Sequence, residues 1–292
     1  MNWFVLALIC AFATSITDAV SKIALRQADE YVVGFAKMAV AAPVFLLGLI
    51  YFIEVPKLDT AFWIVVVCLM PLEVFSYILY LKAIKTSPLS LTVPYLAFTP
   101  VFAVLTAFIL LGEKVTATGM IGILCVAAGS YFLNIDVMRR GPLEPIRAIF
   151  REKGSIYMLI VAFTFSFTAV LGKLALKHSG WVFFPAFYYI ILCAAMIPII
   201  IFRVSTGRSV VILSIRQAAL YALLGLVFVI SVFAHFAAIS MVNVAYMISV
   251  KRLSLLFGVI LGGIIFKEKK IAARLGAALL MFLGAALIVS AR

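Results

Sequence analysis

A chain of 292 residues that is 66% hydrophobic and only 12% charged, with a mean hydropathy of +1.26, is far from the roughly half apolar, quarter charged mixture of a soluble domain. Its net charge of +13 comes with no soluble basic domain, zinc spacing or aromatic RNA-binding pattern, which excludes nucleic acid as a partner. The chain reads as an all-α membrane protein whose positive charge belongs to its loops.

A spanning helix needs about 20 mostly apolar residues to cross a core roughly 30 Å thick. Ten such runs are predicted, near 3–25, 33–53, 60–83, 89–111, 115–135, 155–176, 182–203, 216–238, 243–266 and 270–290. The first, "MNWFVLALICAFATSITDAV", has no basic segment ahead of its apolar run and is long enough to span, so it reads as a retained helix rather than a cleaved signal. Within it Asp18 stands one turn before Lys22, a spacing that predicts an ion pair. The hydroxyls of Thr14, Ser15, Thr17, Thr164, Ser166 and Thr168 are expected to bond back to their own helices. Cys10, Cys68, Cys125 and Cys193 lack ligand or disulfide spacing and read as small buried hydrophobes. Trp3, Trp63 and Trp181, near span starts, read as interfacial anchors.

In the third span, "CLMPLEVFSY" places Glu73 just after Pro71. Proline frees backbone groups and can kink a cavity-lining helix. A carboxylate at that depth is a candidate proton or counter-ion site, and so is Asp18. The polar interruption "DVMRRGPLEPIRAIFREKGS" divides the chain into 1–138 and 155–292, with 139–154 as a basic linker or a short interfacial helix. His235, a lone histidine in the eighth span, is expected to be satisfied in packing.

The ninth span contains "SVKRLSLLFGVILGG". Lys251 lies about 13 Å along it from Val242, near the middle of the core. An unpaired Lys or Arg there costs about 2.5–3.5 kcal/mol even on the lenient insertion scale, so the pair must face protein, water or cargo. Lys251 shares a face with Gly258 and Gly262, a small-xxx-small pattern that predicts helix packing. Arg252, turned about 100° away, offers a planar fork suited to a carboxylate or phosphate.

The halves resemble each other. "AFATSITDAVSKIALR" aligns without gaps to "AFTFSFTAVLGKLALK", and at a slightly different register Glu113-Lys114 matches Glu268-Lys269 and Gly129 matches Gly284. In that register Lys251 and Arg252 correspond to Leu96 and Ala97, so the first copy lacks the dibasic step. Five spans per copy, an odd number, require the second to enter the membrane inverted, as in secondary transporters with a midplane site. The fold class is therefore ten transmembrane helices in two inverted five-helix repeats.

This layout, with "YILYLKAIKTSPLSLTVPYLAFTPVFAVLTAFILLGEKVT" and its Pro100 and Glu113, resembles the EamA-type permeases of the drug/metabolite transporter superfamily. The resemblance implies a metabolite carrier, usually an exporter, in a bacterial inner membrane. The Lys-Arg step resembles that of the phosphate translocators of the same superfamily, where the pair holds the substrate phosphate. Their additional basic residue in the fourth helix is missing here, and Tyr95 and Thr99 occupy that region, so a carboxylate fits as well as a phosphate ester. The pattern of the small multidrug exporters, a Glu eight residues before a Lys, is absent: Thr14 precedes Lys22 and Phe165 precedes Lys173. By the positive-inside rule Lys22, Arg26, Lys37, Lys82, Lys85 and the linker are cytoplasmic and both termini outside; the resemblance implies both inside.

The sequence thus predicts a secondary carrier, not an enzyme, for a small organic anion. Substrate contacts are expected from Lys251, Arg252, Glu73, Tyr95 and Thr99, and a proton or counter-ion site from Glu73 or Asp18, with no catalytic residues, metal or cofactor. The expected partners are the small molecule and the lipid bilayer, with the chain as a monomer or homodimer. Two alternatives stay open: a broad exporter of neutral or amphipathic metabolites or amino acids whose Lys-Arg pair is structural, and a lipid scramblase or accessory subunit.

Overall fold

The computed structural model describes residues 2–52, 54–87, 93–133, 152–211, 214–266 and 275–291, and among these all regular structure is helical. Residues 139–151 of the expected linker lie outside the described residues, as do Glu268 and Lys269. The first half contributes α1 (Trp3–Ala24), α2 (Glu30–Phe52) and α3 (Thr60–Thr86), a 3-10 turn (Val93–Phe98), α4 (Thr99–Leu111) and α5 (Ala117–Phe132). The second contributes α6 (Lys153–Ser179), α7 (Phe183–Ser205), α8 (Ile215–Met241), α9 (Val244–Lys251), α10 (Ser254–Phe266) and α11 (Leu275–Ser290).

Six of these, α1, α2, α3, α6, α7 and α8, are each long and apolar enough to cross a membrane. The fourth and ninth predicted spans are not continuous helices. In the fourth, Pro94 and Pro100 lack the amide hydrogen that an α-helix needs, and the chain runs as a 3-10 turn until Thr99. The ninth breaks with no proline at the step. Arg252 caps α9, and the Leu253 and Leu255 amides bond only three residues back, to the Val250 and Arg252 carbonyls at 3.0 Å each.

Packing joins one half to the other: α1 lies on α8 and α10, α2 on α7 and α8, α3 on α6, α4 on α6 and α9, and α5 on α11. Buried polar clasps fix these crossings. Lys173 Nζ donates to Glu113 Oε1 at 2.5 Å and to the Val242 carbonyl at 2.7 Å, while Glu113 Oε2 accepts the Val244 amide at 2.8 Å. Lys22 donates to the Ile84 and Ser87 carbonyls instead of forming the expected pair with Asp18. At the exposed start of α3, His178 Nδ1 lies 2.8 Å from Asp59 Oδ2. The Asp59 carboxyl is held below its usual range first by the Phe62 amide and also by His178.

Three other expectations are corrected. Nothing would lie within 4 Å of a Cβ on Gly258, so that glycine does not mark a packed face. The close approach is between α5 and α11, where a Cβ on Gly122 would sit 2.7 Å from the Gly284 carbonyl oxygen and the reverse holds equally. Cys68 is exposed, whereas Cys10 and Cys193 are buried, and Trp3 is buried while Trp63 and Trp181 are exposed. Overpacking of this kind costs about 1–3 kcal/mol. Gly122→Ala should therefore lower the melting temperature of the purified protein in detergent. Gly258→Ala, in open space on a helix, should leave it unchanged or slightly raised.

Candidate functional site

On α3, Glu73, Tyr77 and Tyr80 are spaced by four and three residues and so share one helical face. That face looks into the interior between the halves. Two adjoining cavities occupy it, of about 120 Å³ and about 140 Å³. Glu73, Phe165, Tyr189, Phe228, Lys251 and Arg252 line both. The first is completed by Thr99, Thr168, Tyr188 and His235, the second by Asp18, Lys37, Tyr77 and Tyr80.

The charges are distributed unevenly. The walls carry three cations, Lys37, Lys251 and Arg252, against two carboxylates, Asp18 and Glu73. Among the described residues no ion pair within 4 Å joins any of the five to another. Asp18 Oδ1 instead accepts the Tyr80 hydroxyl at 2.5 Å, and Glu73 shares the first cavity with Thr168. The Lys37 ammonium sits 4.0 Å from the Tyr77 ring centre and 3.8 Å from that of Phe228, where the negative ring faces attract it. Lys37 is 4% exposed, so it is no loop charge, contrary to its place in the positive-inside tally.

The break in the ninth span places two helix ends in this field. Lys251 and Arg252 stand at the C-terminal end of α9, the end of a helix dipole that favours cations, and Ser254 at the amide end of α10, which favours anions. Ser254 lines the second cavity and Thr99, the first residue of α4, lines the first.

Several buried polar atoms have no partner among the described residues, including Arg252 Nε, Thr99 Oγ1, Tyr188 Oη, His235 Nδ1 and Tyr77 Oη. Each such group costs about 1–3 kcal/mol in desolvation. His235 is thus not satisfied in packing, and with Lys37, Tyr80 and Tyr188 it is a wall residue that the sequence reading did not select. Of the expected residues, Lys251, Arg252, Glu73, Thr99 and Asp18 all face the cavities, whereas Tyr95 lines neither and its neighbour Leu96 takes that wall. The hydroxyls of Ser15, Thr17, Thr164, Ser166 and Thr168 bond back to their own helices as expected. Thr14 reaches across to Ser231 at 3.2 Å.

A hydrogen bond to a charged group is worth about 1.5–3 kcal/mol. Tyr80→Phe, which strips Asp18 of its donor, should lower unfolding free energy by about 2 kcal/mol. Tyr77→Phe, which removes an unpartnered buried hydroxyl, should leave stability unchanged or raise it. Parallel thermal melts of the two variants check this.

Residues 1–135 match the family model of the EamA-like transporter family. A crystal structure of a protein with 16% sequence identity superposes with a TM-score of 0.75, covering 99% of this chain and 97% of the other; at that identity the likeness shows the fold alone. No curated protein matches the chain. Through residues 1–135 the chain is thus similar to the EamA-like transporter family, and six helices among the described residues are long and apolar enough to cross a membrane.

Proposed function

We propose that this protein is a secondary carrier, an exporter or exchanger, that moves a small organic anion by alternating access. Lys251 and Arg252 bind the anionic group, and Glu73 and Asp18 serve as counter-ion or proton sites. The observation that carries the reading is the excess of cations over carboxylates at cavities from which lipid is excluded. In surroundings of low dielectric constant an unbalanced positive charge is costly, and an anionic cargo removes that cost on arrival.

The architecture of the reading is two inverted five-helix repeats, 1–138 and 155–292, joined by 139–154. Its support is the pairing pattern. The register that matches Glu113 with Glu268 also matches Thr99 with Ser254 and Ser87 with Val242. Thr99 and Ser254 are the residues at which α4 and α10 begin, and Ser87 and Val242 supply carbonyls to the matched lysines Lys22 and Lys173. Contacts of α1 with α8 and of α3 with α6 exchange under that symmetry, as do those of α4 with α6 and of α1 with α10, and those of α2 with α7 and of α5 with α11 map onto themselves. A site between such repeats is exposed to each side in turn as the halves rock.

Binding measured by thermal shift tests the reading. Carboxylated or phosphorylated metabolites should stabilise the purified protein, and Arg252→Ala or Lys251→Ala should abolish the shift. Stabilisation by neutral or cationic ligands alone would instead favour a broad exporter with a structural basic pair. Glu73 borders both cavities in the field of Lys37 and Lys251, which suits a carboxylate that exchanges a proton as cargo enters. Glu73→Gln should then retain binding and lose the pH dependence of uptake in vesicles; pH-driven uptake that persists would remove Glu73 from that role.

A further inference from the structure

Four of the eight buried polar atoms that lack a partner among the described residues, on Thr99, Tyr188, His235 and Arg252, belong to residues that line the same cavity of about 120 Å³. Protein interiors leave few such groups unpaired, and a cluster of them on one wall calls for a polar occupant. Three of the four are neutral groups, two of them hydroxyls that both donate and accept and one an imidazole nitrogen that does either according to tautomer. The fourth is a guanidinium donor. Phe165, Val232 and Phe236 line the same cavity, so its occupant presents C–H surface as well as polar atoms, which separates it from a bare inorganic ion.

Charge narrows the class further. Three cations and two carboxylates leave one positive charge to be matched. A zwitterion leaves it unmatched, and a phosphate monoester, at about −1.5 to −2 near neutral pH, overshoots it. We propose that the cargo is a small hydroxylated monocarboxylate, its carboxylate held by Arg252 with Lys251 nearby and its hydroxyls recognised by Thr99, Tyr188 and His235. This rests on the anion-carrier reading above and adds the neutral half of the recognition.

A site that hydrogen-bonds a substrate hydroxyl discriminates strongly against the analogue that lacks it, because its own buried groups are then left unpaired. Calorimetric titration of the full chain in detergent compares threonate with butyrate and glycerate with propanoate. The expected result is at least about tenfold tighter binding of the hydroxylated member of a pair. Tyr188→Phe and Thr99→Val should narrow that ratio mainly by weakening threonate or glycerate, with little change for butyrate or propanoate. Equal affinity within both pairs, or binding of neither member, overturns the hydroxy-acid assignment. Arg252-dependent binding of other anions would then leave the anion carrier standing. Methyl glycerate binding as tightly as glycerate overturns the anion reading itself, and 3-phosphoglycerate binding tighter than glycerate through Arg252 overturns only the monocarboxylate assignment.

Discussion

One imbalance governs the cavities of this protein: three cations and two carboxylates line them, and no two of the five are joined by a close ion pair. Charges buried in this way are tolerable only with substitutes for water. Four of the five have one: Lys37 has the faces of Tyr77 and Phe228, Asp18 has the Tyr80 hydroxyl, and the basic pair has the C-terminal end of α9. Aromatic rings, a hydroxyl and a helix terminus are weaker partners than a carboxylate would be. They hold the charges in place without neutralising them.

The break in the ninth span and the charges beside it have separate origins. The register that relates the halves puts a break before Thr99 as well as before Ser254, so interruption of the helix belongs to the fold. Lys251 and Arg252 stand where the first half has Leu96 and Ala97, so the charges do not. The first half uses prolines to interrupt its helix; the second reaches the same end by a short 3-10 step that happens to carry two bases. The two halves thus share the helix ends but not the charges beside them, and the cavity walls are asymmetric.

Much of this was legible in the sequence, because a bilayer imposes strong rules on composition. Apolar runs located α1, α2, α3, α6, α7 and α8 within a few residues, and the cost of charge at depth singled out Glu73, Lys251 and Arg252. What escaped notice depended on direction rather than on depth. Lys37 was placed with the loop cations because a linear tally does not register which way a side chain near the start of a span points. His235 and Tyr188 carry no charge at their place in an apolar run, and only the cavity distinguishes them from packed residues. Tyr95 failed for the opposite reason, since one step along a 3-10 turn rotates a side chain by about 120° and gave the wall to Leu96. Gly258 shows that a small-residue spacing is not sufficient for close helix contact.

The contact between Gly122 and Gly284 has a mechanical consequence. Where backbone meets backbone, the two helices come closer than any side chain between them would allow, so a single added methyl at either glycine would force α5 and α11 apart.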